Sequence, residues 1–499
     1  MSLSRLPREL RDMVYDYCTT EIGGYYFDPI EGKLRTLSGD KIDLSLTYTC
    51  KSIAAEMRGV AFRNNTIHFT TCPSPGRCTR DYRHFGRLIE DLYLAKSIAL
   101  SRARPFITDV IDCKIVESFP HIRSMIDHLR TTKSKKCKYH EQLDRSVEWG
   151  SAPSFHRDAV AELLSMVAQD PAFGKATRKD VFPLGYEFRN GQDVLSLYSL
   201  HPKPWCVLTT HEFQAMVRHM PLAPYWGPRE RVRDQTKYYI SAASQASAFL
   251  ARLTPQVRTS IRHLELHELH ASVAYPECHA RALIPFAVEN SKLDIVRRVS
   301  LWNNVLASHH LRDYEKHRYG HGEGRTPMRD MHATEVTSTL APWLTEVLVL
   351  ERAGMPPKTF SLVFEGEKDS MQSIFDILLE DASWQDALEQ FPGKDIGSVY
   401  EMKRTGTGYK GFVSYFFDDL PKLMKNIIHG TAPVTFDHCS GRVWDVQNIL
   451  TMNNTCHSMA DWNKKWRSLR NRDVAPSLLD TWCTILGKYV CEDEEARSM

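Results

Sequence analysis

The chain has 499 residues, of which 42% are hydrophobic and 25% are charged, and its formal net charge is +3 at pH 7. This composition is ordinary for a folded globular protein and excludes a disordered or fibrous chain. A net charge this small predicts no nucleic-acid partner, because binding to phosphates depends on a strongly basic surface.

The sequence also indicates a compartment. No window approaches 18 uninterrupted apolar residues, so we expect no membrane span. The first residues, Met1 to Arg5, lead directly into a predicted helix and lack the apolar segment of a signal peptide. The twelve cysteines are sparse for this length and are expected to be reduced thiols. We therefore expect a cytoplasmic or nuclear protein.

The first predicted helix begins at Pro7. Proline suits the first helical position, where its missing N–H costs nothing and its fixed φ is already helical. An apolar face follows at helical spacing, made of Leu10, Met13, Val14, Tyr17 and Cys18. The pattern predicts one amphipathic helix.

A second helix is predicted over residues 44–61. Its inner face would consist of Leu46, Cys50, Ile53, Ala54, Met57 and Ala61. Asn64-Asn65 would end this helix, and alternating residues then predict a strand over 66–70. The segment between the two helices contains Gly23-Gly24 and Asp28-Pro29, which predicts a hairpin or a loop.

These motifs carry a family resemblance over about residues 4–70. The opening Leu-Pro-Arg-Glu-Leu-Arg-Asp-Met-Val-Tyr at 6–15 resembles the F-box-like start of a group of fungal proteins. The stretch LSLTYTCKSIAAEMRGVAFRNNTIHF, at 44–69, resembles the second half of the same module. Glu9-Leu10-Arg11 and Glu56-Met57-Arg58 match the paired Glu-x-Arg signatures of the related two-EXR family. Residues 248–302 resemble the body of such proteins more weakly.

The resemblance implies a function. Helices of F-box modules dock on the small adaptor subunit of a cullin–RING ubiquitin ligase, and the rest of the chain holds a protein substrate. Carried over to this sequence, the docking residues would be Leu6, Pro7, Leu10 and Val14. An alternative keeps these helices as structural core in a binding protein unconnected to ubiquitin. Exposure of Leu6, Leu10 and Val14 would favour docking, and their burial against the sheet would favour the structural role.

The remainder of the chain predicts a sheet with helices packed on it. Helices are expected at 87–101, 158–169 and 241–253, and a Pro- and aromatic-rich segment at 171–235 is expected to be irregular, with a short strand near 206–209. Four further strands are predicted at 261–267, 296–302, 346–350 and 360–364. The last of these precedes a mainly helical region, with helices at 371–379, 383–391, 412–428 and 476–490.

Together these elements predict an α+β fold with F-box-like N-terminal helices, a mixed β-sheet in the middle and a helical C-terminal half. The expected divisions are an F-box-like module at 1–70, a mixed α+β body at 71–365 and a helical region at 366–499. The connection between the body and the helical region could make them one domain or two.

No motif predicts catalysis. The chain has no His-Glu-x-x-His, Gly-x-Ser-x-Gly or Walker loop. The glycine pattern at 406–413 follows a polar segment rather than a buried strand, so a turn is expected there. We therefore predict a non-enzymatic interaction protein with no cofactor, no metal and no small-molecule ligand, although residues of a catalytic triad can be dispersed in sequence.

Two histidine groups offer a third, metalloprotein hypothesis. His263, His267 and His270 could supply ligands, but on a strand His263 and His267 would simply share a polar face with Glu265. The second group consists of His309, His310, His317 and His321. It lies in a charged segment, where histidines are ordinarily exposed to solvent without a metal.

The four lysines between 133 and 138 are expected to form a solvated loop.

Overall fold

The computed structural model describes residues 3–73, 78–131, 152–177, 198, 200–207, 209–218, 237–308, 331–391, 417, 419–476 and 481–489. The predicted α+β class is confirmed, with a mixed sheet in the middle of the chain. None of the described helices combines the length and the apolar character that crossing a bilayer requires.

The bounds of the elements are as follows. The described α-helices are α1 Arg8–Thr19, α2 Lys51–Glu56, α3 Val60–Asn64, α4 Cys78–Ala103, α5 Asp109–Ser118, α6 Arg123–Thr131, α7 Pro153–Val167, α8 Pro171–Thr177, α9 Thr210–Val217, α10 Ala242–Arg252, α11 Pro255–Arg258, α12 Ile284–Glu289, α13 Ala333–Leu350, α14 Lys368–Glu389, α15 Leu420–Ile428, α16 Val446–Met452, α17 Met459–Leu469 and α18 Trp482–Gly487. The described strands are β1 Tyr25–Asp28, β2 Lys33–Arg35, β3 Thr66–Thr70, β4 Cys72–Pro73, β5 Tyr239–Ile240, β6 His263–Glu268, β7 Asp294–Ser300, β8 Met331–His332, β9 Phe360–Glu365, β10 Val434–Phe436 and β11 Asp473–Val474.

Seven strands form the main sheet, in the order β10-β9-β7-β6-β3-β1-β2. All neighbours are parallel except β2, which pairs antiparallel with β1 at one edge. The predicted hairpin in the N-terminal insert is therefore β1–β2, and the predicted strand at 66–70 is β3. Both extend the sheet of the body.

The two faces of the sheet differ. On β6, Leu264, Leu266 and Glu268 are buried, whereas the alternating residues Glu265 and His267 are only partly buried. The apolar face packs on a large core that includes α10, α13 and α14. The other face carries histidine, glutamate and arginine side chains, as a strand with one solvated face does.

The N-terminal module, residues 3–70, contains α1 to α3 and β1 to β3. The helix after Pro7 is confirmed, with Pro7 as its N-cap. The single helix predicted at 44–61 is wrong: a 3₁₀ turn at Ser45–Tyr48 precedes α2 and α3. Cys50 is extended and Gly59 has φ +75°, so the backbone leaves the helical region twice. Helical periodicity does not register such breaks.

The strand predicted at 346–350 is also wrong, because these residues end helix α13. A capping box between His332 and Glu335 starts this helix, and its C-terminal half is buried between other elements. A helix that is buried on most sides is apolar all round, and a short apolar run cannot distinguish it from a strand.

The strand expected near 206–209 is wrong as well. Cys206 and Val207 lie in an irregular segment, and Thr209 is the N-cap of α9, with Glu212 completing a capping box. The two helices predicted at 371–379 and 383–391 are one helix, α14. At the C-terminus Thr481 is an extended N-cap, so the final helix begins at Trp482 rather than at Pro476.

Candidate functional site

Helix α1 has one face turned into the N-terminal module. Tyr15 and Thr19 are buried on this face, and Tyr15 packs with Met57 and Val60 in a small core of its own. Arg11 lies one turn before Tyr15 on the same side and is partly buried. The inner face of the helix is therefore the side that carries Arg11, Tyr15 and Thr19.

A charged network, which we call the α1 latch (Arg11, Tyr15 and Glu56), fixes this orientation. Arg11 donates from Nε and Nη2 to the two carboxylate oxygens of Glu56, at 2.9 Å each. The hydroxyl of Tyr15 donates to Glu56 Oε2 at 2.8 Å. A two-pronged arginine–carboxylate pair of this kind is directional as well as strong. The arginine of the first Glu-x-Arg signature thus binds the glutamate of the second.

The contacts of the α1 latch shift the pKa values of Glu56 and Tyr15. Hydrogen bonds from Arg11 and Tyr15 lower the pKa of Glu56 from its ordinary 4.5 to about 2. Burial, followed by the hydrogen bond to Glu56, raises the pKa of the Tyr15 hydroxyl. Glu56 is therefore a carboxylate and Tyr15 a neutral phenol at physiological pH.

The C-terminal end of α1 is held by the pair Asn64 and Asn65. The Asn65 amide donates to the carbonyls of Thr19 and Ala61, at 2.7 Å each, and its oxygen accepts from the Glu21 N–H. Asn64 donates to the Asp16 carboxylate at 2.8 Å. The residues that end α3 therefore also anchor α1, so both ends of α1 are fixed.

The apolar face that the sequence predicts is the opposite face of α1, and it points to solvent. Leu10 is 46% exposed, Met13 66% and Tyr17 87%. Pro7 and Cys18 are exposed as well, whereas Leu6 and Val14 are half-buried. Of the predicted docking residues Leu6, Pro7, Leu10 and Val14, none is buried against the sheet. We call Leu10, Met13, Val14 and Tyr17 the α1 outer face.

The sequence did not predict the residues that hold this arrangement. Arg11 and Glu56 are 45 positions apart, and helical periodicity gives no weight to polar residues on an inner face. The sequence nevertheless contained a signal. Each Glu-x-Arg motif has a glutamate and an arginine, so the arginine of one motif can pair with the glutamate of the other. The sequence predicted Asn65 only as part of the pair that ends a helix.

The three histidines of the alternative metalloprotein hypothesis, His263, His267 and His270, do not come together. His263 is exposed and its Nδ1 lies 3.4 Å from Asp294. His270 stacks on Tyr239 with ring centroids 4.3 Å apart. His267 instead meets His68 of β3, with His267 Nε2 3.2 Å from His68 Nδ1.

Glu265 completes a different group with these two residues. Its Oε2 lies 3.3 Å from His68 Nδ1, and its Oε1 is held by Arg298 of the next strand. The parallel pairing of β3 and β6 makes His68 the partner of Glu265, and His267 follows two residues later on the same face. The ligand atoms of all three residues lie within 4.8 Å of one another.

A serine–histidine pair also occurs in the body. Ser241 Oγ lies 2.7 Å from His279 Nδ1, but both side chains are buried and His279 Nε2 lies 2.8 Å from the Ala274 carbonyl oxygen. The same Ser241 hydroxyl caps α10. A serine that acts as a nucleophile must be reached by its substrate, and this serine is buried. The pair therefore fits the role of a helix cap.

The lysines at 133–138, the histidines at 309–321 and the glycine pattern at 406–413 lie outside the described residues. Comparisons with protein-family models, curated proteins and solved structures find no match.

Proposed function

We propose that the chain is a protein-interaction subunit that docks through the α1 outer face on the small adaptor subunit of a cullin–RING ubiquitin ligase. The body would then hold a protein substrate. The observation that carries this proposal is the exposure of Leu10, Met13 and Tyr17 on one side of a helix whose other side is firmly held.

The exposure is a property of the fold rather than of a loose helix. The α1 latch and the Asn64–Asn65 contacts fix the helix at both ends, so the outer face cannot turn inward without breaking them. Burying a Leu or Met side chain stabilises a protein by about 1.5–3 kcal/mol. The fold forgoes that stabilisation at Leu10 and Met13, which suits residues that are buried against a partner.

The chemistry of the face fits an apolar helix-in-groove contact. Leu10, Met13, Val14 and Tyr17 follow the spacing i, i+3, i+4 and i+7, the spacing at which anchor residues enter a groove. Tyrosine and methionine are enriched at interfaces, and methionine adapts to the shape of its partner. The structural alternative requires Leu6, Leu10 and Val14 to be buried against the sheet. Leu10 is exposed and the other two are only half-buried, which supports docking.

The test is capture of a purified fungal cullin–RING adaptor subunit by the full chain. The informative variant is Leu10→Asp/Met13→Asp, because these side chains are 46% and 66% exposed and the latch is untouched. The matched control is Val110→Asp, which places one such charge at an apolar residue of comparable exposure, 63%, in the first turn of α5.

We expect capture by the wild type and by Val110→Asp, and loss of capture by the double variant with an unchanged melting temperature. Failure of a folded wild type to bind the adaptor would sink the ligase role. Full binding by the double variant would show that the contact is made elsewhere and would overturn the assignment of the α1 outer face.

A further inference from the structure

We propose that His68, Glu265 and His267 form a binding site for a divalent transition-metal ion of the zinc class on the polar face of the main sheet. The three side chains come from two neighbouring parallel strands, so a rigid backbone sets their positions. The site is independent of the α1 outer face.

The spacing of the ligand atoms fits one ion. His68 Nδ1 lies 3.2 Å from His267 Nε2 and 3.3 Å from Glu265 Oε2. Nitrogen and oxygen ligands bound at about 2.0–2.1 Å to a tetrahedral Zn²⁺ lie about 3.3–3.4 Å apart. The two distances therefore match two edges of a zinc coordination tetrahedron.

The donor set also fits. Two imidazoles and one carboxylate are a common set for zinc and for other first-row transition metals, and three protein ligands leave coordination positions open. Magnesium and calcium favour oxygen ligands, so two histidines select against them. A water molecule or a donor atom of a bound compound would complete the coordination.

Neighbouring groups hold two of the ligands in place, as they do in established metal sites. The Nε2 edge of His68 faces the Gly23–Gly24 turn, where a Cβ on Gly24 would lie 3.2 Å from that nitrogen. A metal bound at Nδ1 requires the ring proton of His68 to be on Nε2, the edge that faces this turn. Arg298 holds the second oxygen of Glu265 in the same way.

The tautomer of His267 changes on binding. With the His68 proton on Nε2, the 3.2 Å contact is a hydrogen bond that His267 Nε2 donates to His68 Nδ1. A metal replaces this hydrogen bond, and His267 must then carry its proton on Nδ1. The ion gains two nitrogen ligands for one hydrogen bond lost.

Local charge favours a cation. The guanidinium of Arg298 is surrounded by the carboxylates of Glu265, Glu365 and Asp437, the last two at 2.9 and 3.8 Å. These four groups together have two formal negative charges in excess, the amount that a divalent ion neutralises.

The experiment is titration of the chelator-treated full chain with Co²⁺ alone and then Zn²⁺ alone, followed by calorimetry and by the visible spectrum of bound Co²⁺. Test variants are His267→Gln and Glu265→Gln, checked by circular dichroism for an unchanged fold. The matched control is His263→Gln, which changes the same residue type on the same strand but outside the cluster.

We expect one ion per chain for the wild type and for His263→Gln, and affinity weaker by roughly 100-fold or more in both test variants, since loss of an outer-shell partner alone costs 10–100-fold. A folded wild type that binds no ion overturns the proposal. So does binding that His267→Gln and Glu265→Gln leave unchanged, or a cobalt spectrum of thiolate ligation, since either places the ion elsewhere.

Discussion

The N-terminal module and the body of the sheet are stabilised in different ways. The body encloses an apolar core that spans the covered face of the sheet and several helices, and it tolerates a fully buried ion pair. The module buries only Tyr15, Met57 and Val60 in a core of its own and relies on a partly exposed ion pair. Meanwhile it leaves three large apolar residues of α1 in solvent. The module thus leaves apolar side chains in solvent although its own core is small, and the proposed partner surface is based on this contrast.

The largest expected loss of unfolding free energy is in the body. Glu268 is buried on β6, where it accepts hydrogen bonds from the N–H groups of Ala242 and Ala243 and pairs with buried Arg297 at 2.8 Å. Glu268→Gln would leave the Arg297 charge buried without its carboxylate, which costs about 3–5 kcal/mol of unfolding free energy. Denaturant unfolding measures this loss.

The control for that variant is Glu162→Gln on the exposed side of α7, which we expect to change stability by less than about 0.5 kcal/mol. A Glu268→Gln protein as stable as this control would show that the buried pair is not what distinguishes the body.

A smaller and local effect is expected in the module. Glu56→Gln removes the charge that Arg11 and Tyr15 bind, so α1 should open more often while the body stays folded. Amide hydrogen exchange should accelerate in residues 8–19 and stay unchanged in β6 and β7. Equal acceleration in both regions would contradict an independent latch.

The same carboxylate predicts a dependence on pH. The pKa of Glu56 is lowered in the folded state, from 4.5 to about 2, so its contribution is present above pH 4.5 and is lost as the pH falls from 4.5 towards 2. Exchange in α1, corrected for the intrinsic effect of pH, should increase over this interval in the wild type. In Glu56→Gln this increase should disappear, and its persistence would assign the acid sensitivity to other groups.

The smallest effect is expected on the α1 outer face. Tyr17 is 87% exposed, so Tyr17→Ser should change the unfolding free energy by less than about 0.5 kcal/mol. A clearly larger loss in thermal or denaturant unfolding would show that Tyr17 packs within the chain, and the contrast between the two faces of α1 would fail.

Much of the fold could be predicted because its signals are local. Strand β3 has the bounds that its alternating residues predict, and Pro7 marks the start of α1. The buried end of α13 could not be told from a strand, since an apolar run has no periodicity to read. Gly59 interrupted a predicted helix through a positive φ that apolar spacing does not encode.

The two proposed sites are harder to predict from the sequence than the fold, because their residues are far apart in the chain. The sequence predicts the apolar stripe of α1, but it does not tell which side of the helix faces solvent. That depends on Glu56, 45 residues beyond Arg11. The proposed metal site needs His68, which is 199 residues from His267 and meets it only through the pairing of β3 with β6. Non-local strand pairing is therefore what turns a polar strand face into a possible coordination set.

The central claim, that the α1 outer face is where a partner binds, is tested most directly by thiol labelling of the full chain with and without saturating adaptor. Cys18 is exposed at the edge of this face, and Cys113, exposed on α5, serves as an internal control. We predict that adaptor slows the labelling of Cys18 and leaves the rate at Cys113 unchanged. Unchanged labelling of Cys18 at saturating adaptor would contradict the claim.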